Sequence, residues 1–445
     1  MYSYISKELE KIKCDYWDAR IENANLLSLS IENSDLNINK NYFEGIGIRI
    51  LNNGSWGFAS INQTDKTSFD IALKNALRLS KIKSGNKIQI HAYKKQKYNE
   101  KRENNEVDLD KWTKKLIKLE KEMKHKNIIS TAFGLMNKNS FFTFINSEGS
   151  LIEKKEVFSY AGPKTIGKKG KIMQTWSDRE GKLGSLENLK NLDTLAINSK
   201  KKVLDILKAK PCPKGIQTVV LDPHMVGVFC HEAIGHASEA DIVSKGDSIL
   251  EKYKGKQIGN PEINIIDSPN EKEGFGNIIY DDEGIKAKKV VLIKNGKVNE
   301  FMHSRETAKK FNTSPTGNAR ATNYFNFPIV RMRNTVMLPG KASKEDIFDI
   351  KEGIYLKGMK GGQVKTLDGT FMFAAREGFK IKNGEIKEQV RDVSIASDIQ
   401  TTLHNIELIG KDYTPNGVGF CGKGGQNIRA GDGGPHIKIN KILLG

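Results

Sequence analysis

Long apolar runs are missing from this chain of 445 residues. No stretch approaches the roughly 18 apolar residues that a membrane-spanning helix needs, which excludes a helical membrane protein. Cysteine is scarce: Cys14, Cys212, Cys230 and Cys421 stand far apart, with no CxxC pair. That spacing excludes a disulfide scaffold and leaves each cysteine free to act singly, as a ligand for instance. Met1 to Asp18 carries several charges ahead of any apolar stretch, a pattern that predicts no secretory leader. The expectation is a reduced, cytoplasmic protein with no membrane partner. Acidic residues are outnumbered, 53 Asp and Glu against 72 Lys and Arg, for a formal charge of +19. The excess is lysine scattered in short clusters, such as 94–97 and 200–202, and not an arginine stripe interleaved with aromatics. It reads as compositional drift and predicts no specific nucleic-acid partner.

What is present is globular. Hydrophobic residues make up 38% and charged residues 28%, in a chain long enough for two or three domains. The first half predicts helices at Ile5–Trp17, Phe69–Leu79, Asp108–Lys124 and Glu187–Leu207. Ile71, Leu73, Ala76 and Leu79 form the expected core face of the second. Between them lie strands at Ala24–Glu32, Gly45–Leu51, Trp56–Ser60, Ile88–Tyr93, Ile128–Met136 and Phe141–Asn146, with Asn52-Asn53-Gly54 as a hairpin turn. The polar segment Lys94–Glu106 reads as a linker. Pro211 and Pro213 bracket Cys212 and suggest a boundary there. Beyond it come short strands and glycine turns, with hairpin signals at Asn295-Gly296 and Asn383-Gly384. The pattern predicts an α+β fold: an N-terminal mixed α/β domain with an antiparallel sheet over 1–210, with a subdivision near 94–106, and a C-terminal β-rich domain over 211–445.

One motif carries chemistry. Residues 231–236 read His-Glu-Ala-Ile-Gly-His. Two histidines and a glutamate on one helix are what a hydrolytic zinc site needs: imidazoles as ligands, and a carboxylate to take a proton from the water that the ion activates. The usual spacing is four. Five residues on a regular α-helix leave His231 and His236 about 140° apart, too divergent for one ion. Either the histidines are structural and this is no metal site, or a π-bulge brings both rings to one side, and Gly235 eases distortion there. Asp222 is placed to cap this helix, with Pro223 in its first turn and Val226, Phe229 and Ala233 inward. Glu239 and Asp241 follow closely and are open between orienting the histidines and standing solvated.

A catalytic zinc takes a third protein ligand, for which His224, Cys230, Glu239, Asp241, His303, Cys421 and His436 are candidates. Cys230 adjoins His231 and points about 100° away from it on a helix. Cys421 is better placed, in the glycine-rich segment Gly417–Gln426. That segment also satisfies GxGxxG and most of a phosphate-binding loop, but no helix follows it, which argues against a nucleotide site. The polar loop Asn312–Thr322 is open between positioning a substrate and forming ordinary turns, and the acidic turn Tyr280–Gly284, which could bind a cation or cap a turn, is read as framework. Arg320, Asn318 and His436 are candidates for binding substrate or stabilising an oxyanion.

Together, HEAIGHASEAD (231–241), YDDEG (280–284), SPTGNARA (314–321), RMRNT (331–335) and CGKGGQ (421–426), in this order, resemble the TldD/PmbA family of zinc metallopeptidases. GIGIRILNNGSWGFAS (45–60) is similar to that family's first domain. The resemblance implies a barrel-like C-terminal domain carrying the HExxxH helix. It implies one zinc per chain held by His231, His236 and Cys421, with Glu232 as general base. The PmbA or TldE branch lacks these residues, so the chain resembles the catalytic TldD branch. Peptides or unfolded segments are the implied substrates, and a dimer with itself or with a metal-free TldE/PmbA-like paralogue the implied assembly. The competing expectation is a non-catalytic or regulatory subunit of a peptidase complex, and after it a basic nucleic-acid-binding protein.

Overall fold

The structure, a computed structural model, describes residues 2–82, 85, 87–101 and 106–445. Three main sheets build it. The first is eight-stranded and lies within the first half of the chain. Its centre is Tyr16–Glu32 between Asp35–Asn52 and Ile128–Asn146, followed by Leu151–Lys169. These strands of 17 to 19 residues pair antiparallel. Asn53 and Gly54 adopt the positive φ that a tight hairpin requires, and turn Asp35–Asn52 into Ser55–Ile61. Helices Lys66–Ser80, Leu109–Met123 and Leu192–Ile206 cover the sheet, and Asp65 and Asp108 cap the first two.

Several expectations need correction. Ile5–Trp17 is not one helix: the helix is Tyr2–Glu10, and Trp17 already belongs to the long strand, pairing with Ile50. Period-two alternation from Tyr16 onward overrides the helical reading. The predicted strands 128–136 and 141–146 are one continuous strand. Ile88–Tyr93 forms no strand; a short strand lies at Lys97–Asn99 and pairs with Leu151–Glu153 in the first sheet. Of the expected linker, residues 102–105 lie outside the described residues. Helix Lys66–Ser80 buries Phe69, Ala72, Leu73 and Ala76, whereas Ile71 and Leu79 are exposed. The fourth helix starts at Leu192, five residues later than its reading.

The second half holds the other two sheets. Gly215–Leu221, Ile437–Leu444, Ser394–Asp398, Thr370–Lys382 and Glu352–Val364 pair in a ring that closes into a five-stranded barrel. The barrel-like domain is therefore present, inside a mixed α and β fold. A six-stranded sheet packs beside it, ordered Lys297–Val298, Val290–Lys294, Ile265–Ser268, Asn334–Met337, Gln426–Gly434 and Thr414–Lys423. The largest apolar core fills the space between, and Val226, Phe229, Ala233 and Ile234 of the motif helix are sealed within it.

Ion pairs, one buried and one half-buried, join the two halves. Arg49, on the first sheet, meets Asp18 beside it and Glu283 of the acidic turn, the latter at 3.0 Å. Lys154 meets Asp282 at 2.8 Å. Asp281 turns inward and accepts the backbone N–H groups of Glu283, Ile285 and Ala319. The acidic segment 280–284 is thus framework, a clamp between halves of the molecule. No helix among the described residues is long and apolar enough to cross a membrane.

Candidate metal centre

The motif helix begins as expected. Asp222 accepts from the N–H of Met225 at 2.8 Å and Pro223 occupies the first turn. Pro223–Phe229 is α-helical, and then the winding changes: Cys230–Gly235 is a π-helix, and the N–H of His236 donates to the carbonyl of His231. This i→i+5 bond closes one wide turn and puts residues five apart on one side. The rings of His231 and His236 lie 5.4 Å apart, nearly perpendicular. Gly235 keeps ordinary helical angles, φ −61° and ψ −57°. It does not ease a backbone distortion; it makes room. A Cβ there would run into the sulfur of Met332.

Cys421 arrives from the edge strand Thr414–Lys423. Its sulfur lies 3.3 Å from Nε2 of His236, and one ligand atom from each of His231, His236 and Cys421 falls within 4.8 Å of the others. Arg331, fully buried, donates to the carbonyls of Cys421 and Gln426 and so fixes the turn after the cysteine. Glu232 is a third exposed at its side chain, and its carboxylate lies 3.9 Å from Nε2 of His236, on the same face as the cluster.

Buried charges support the histidine. Nδ1 of His236 lies 3.0 Å from Glu239, whose carboxylate is wholly buried. Lys423, two residues beyond Cys421, reaches back to Glu239 at 3.1 Å and Asp241 at 2.8 Å, and donates to the carbonyl of Val330. Glu239 thus orients His236 directly, while Asp241 acts through Lys423. Burial pushes the Cys421 thiol up, but the imidazoles of His231 and His236 outweigh it and hold the thiol down at about 4. Burial likewise pushes His231 down, and Cys421 beside it raises it to about 9. The sulfur is thus favoured as thiolate, and a thiolate with two imidazoles, once the rings release their protons, is a donor set that suits zinc.

The other candidates are engaged elsewhere. Asn318 is sealed in the framework, where it donates to Asp267 and to the carbonyl of Arg331. The nitrogens of His436 face Tyr355 at 2.9 Å and Asp412 at 2.8 Å. His303 lies against Thr307, Cys230 is fully buried, and His224 accepts from the N–H of Met359. Arg320 lines a large cavity on the far side of the strand that bears Cys421. Among the described residues, His231, His236 and Cys421 are the one group of three that converges as metal ligands do. Gly417–Gly422, with its GxGxxG, is strand and not a loop before a helix. Sequence reasoning missed Arg331 and Lys423; the signal available was a basic residue inside each quoted motif.

The family description "PmbA/TldA metallopeptidase C-terminal domain" matches residues 214–445, and "PmbA/TldA metallopeptidase domain 1" matches 17–80. A metalloprotease of Methanothermobacter thermautotrophicus is 36% identical over 97% of this chain and 96% of its own length. A protein of Saccharolobus solfataricus named zinc metalloprotease TldD homolog is 31% identical over 100% and 99%. Among solved structures, TldE from Thermococcus kodakarensis has the same fold, with a TM-score of 0.79 at 21% identity over 99% of each chain. The chain belongs to the TldD/PmbA family of metallopeptidases.

Proposed function

We propose that this protein is a zinc-dependent peptidase that hydrolyses small peptides or unfolded segments, with His231, His236 and Cys421 as ligands of one zinc and Glu232 as general base. The observation that carries this reading is the convergence of the three donors within 4.8 Å beside an accessible carboxylate. Its relatives are named metalloproteases, one of them a zinc metalloprotease. A purely structural ion would take a fourth protein donor, and three converge among the described residues.

When bound, zinc supplies Lewis acidity, polarising the scissile carbonyl and acidifying its water. Glu232 accepts the proton of the attacking water and returns it to the leaving amine. Glu239 holds Nδ1 of His236, so that Nε2 presents its lone pair to the cluster. Thr414–Lys423 ends the six-stranded sheet and presents an edge. An extended peptide that pairs along it would pass Cys421 with its carbonyls aligned, a mode that favours unfolded substrates over folded ones. The free, scattered cysteines fit a cytoplasmic setting. We further propose units over 1–210 and 211–445, and a partner that is a second copy or a metal-free paralogue. Replacing Glu232 with Gln tests the chemistry: zinc content and fold stay as in wild type, and turnover of an unstructured peptide falls at least a hundredfold. Turnover at the wild-type rate would remove Glu232 from the mechanism.

A further inference from the structure

A cavity of about 1240 Å³ lies back to back with the His231–Cys421 cluster. Neighbouring side chains on a strand point to opposite faces. Cys421 faces the histidines, and Phe420 faces the cavity. Both halves of the chain supply its walls: Phe142 and Phe158 from the first sheet, Phe420 and Ile279 from the second half.

Most charges around this space are matched. Lys138 pairs with Glu22 at 3.2 Å, Lys154 with Asp282 at 2.8 Å, and Arg429 with Glu156. Among the buried cations of the lining, Arg320 is the exception. It is 4% exposed and forms no salt bridge. Its Nη1 donates to the carbonyl of Met332 at 2.7 Å, while Nε and Nη2 make no hydrogen bond within the protein. Neither is among the polar atoms that protein seals off without a partner, so both are open to the cavity. A guanidinium enclosed by protein on its other sides leaves these two adjacent donors to whatever occupies the cavity. Nε and Nη2 form the planar fork that matches a carboxylate with two parallel bonds.

We propose that this cavity binds an organic carboxylate with an apolar body, the carboxylate forked on Nε and Nη2 of Arg320 and the body against Phe142, Phe158 and Phe420. Charge selects the class. One unmatched buried cation, with the other buried cations of the lining already paired, suits a monoanion. The free C-terminus of an apolar peptide and a non-peptide acid share this chemistry. The site stands whether or not the His231 cluster hydrolyses peptides, because the strand separates the two.

The test is calorimetric titration of the full chain after chelator treatment, so that no probe is consumed. Three probes are used: 3-phenylpropionate, N-acetyl-Phe-Phe with a free C-terminus, and the C-terminal amide of that dipeptide. The expected result is saturable binding of the dipeptide acid, with the amide at least tenfold weaker. Binding of phenylpropionate as well establishes the general acid class; its absence beside dipeptide binding narrows the class to peptides. Arg320→Met removes the preference for acid over amide. Should that variant fail to fold, Ile279→Trp narrows the cavity while keeping the arginine, and weakens the dipeptide acid at least tenfold. Equal affinity for acid and amide, no binding of either acid, or affinities unmoved in these variants would overturn the proposal.

Discussion

Glu239 holds His236 in place: its carboxylate, shielded from water, meets Nδ1 of the imidazole at 3.0 Å. The bond fixes which ring nitrogen faces Cys421, and Lys423 anchors the glutamate from behind. Glu239→Gln keeps the shape and loses the charge. Zinc affinity is expected to fall about 10- to 100-fold, read by competition with a chromogenic chelator. An unchanged affinity would reduce Glu239 to a packing residue.

Gly227 lies one turn before His231 on the motif helix. A Cβ there would fall 2.7 Å from Cα of Gly433, and 2.5 Å from Oδ1 of Asp432. The obstacle is backbone, which cannot rotate away. Gly227→Ala therefore costs about 2 kcal/mol or more by urea unfolding, although alanine favours a helix by about 1 kcal/mol. A stabilised variant would mean that the helix does not pack so closely on Gln426–Gly434.

Glu283 accepts from Arg49 at 3.0 Å and from the N–H of Arg305 at 2.8 Å, so it ties the first sheet to the second half. Arg49 is 1% exposed. Glu283→Gln leaves part of a buried guanidinium uncompensated and costs about 2–3 kcal/mol, less than a complete break because Asp18 remains. Differential scanning calorimetry reads the loss as a lower melting temperature. An unshifted transition would show that the clamp carries no stability.

His303 gives a pH dependence. Burial, with Lys254 and Lys288 adding, pushes its imidazole down to about 4. The unfolded chain takes up that proton near pH 6.5 and the folded chain does not, so acidification favours unfolding between about pH 6.5 and 4. At pH 5 the penalty from this group is about 2 kcal/mol. His303→Gln should lose less stability than wild type between pH 7 and pH 5 in urea titrations. Identical losses would show that the imidazole is protonated in the folded protein.

Much of the site was legible in the residues. The five-residue spacing of His231 and His236 leaves either no metal site or a widened turn, and the helix has the widened turn. Asp222 and Pro223 marked where that helix starts. Cys421 could be favoured but not fixed from spacing, because 185 residues separate it from His236 and only tertiary packing brings them together. Gly235 was misread for the same reason: what it avoids is Met332, a distant residue. In the first half, strands of 17 to 19 residues were read as shorter pieces, since polar positions such as Asn137 and Asn139 interrupt their apolar pattern. Asn137 is in fact buried and bonded to Ser159 of the neighbouring strand, a pairing that local propensity does not encode.

The central claim is that His231, His236 and Cys421 hold one zinc. Elemental analysis of tag-free protein, purified without chelators, tests it most directly, with wild type and Cys421→Ala side by side. The expected result is about one zinc per wild-type chain and a small fraction of that in the variant, with far-ultraviolet circular dichroism unchanged. Wild-type protein without zinc, or a variant that retains it fully, would contradict the account.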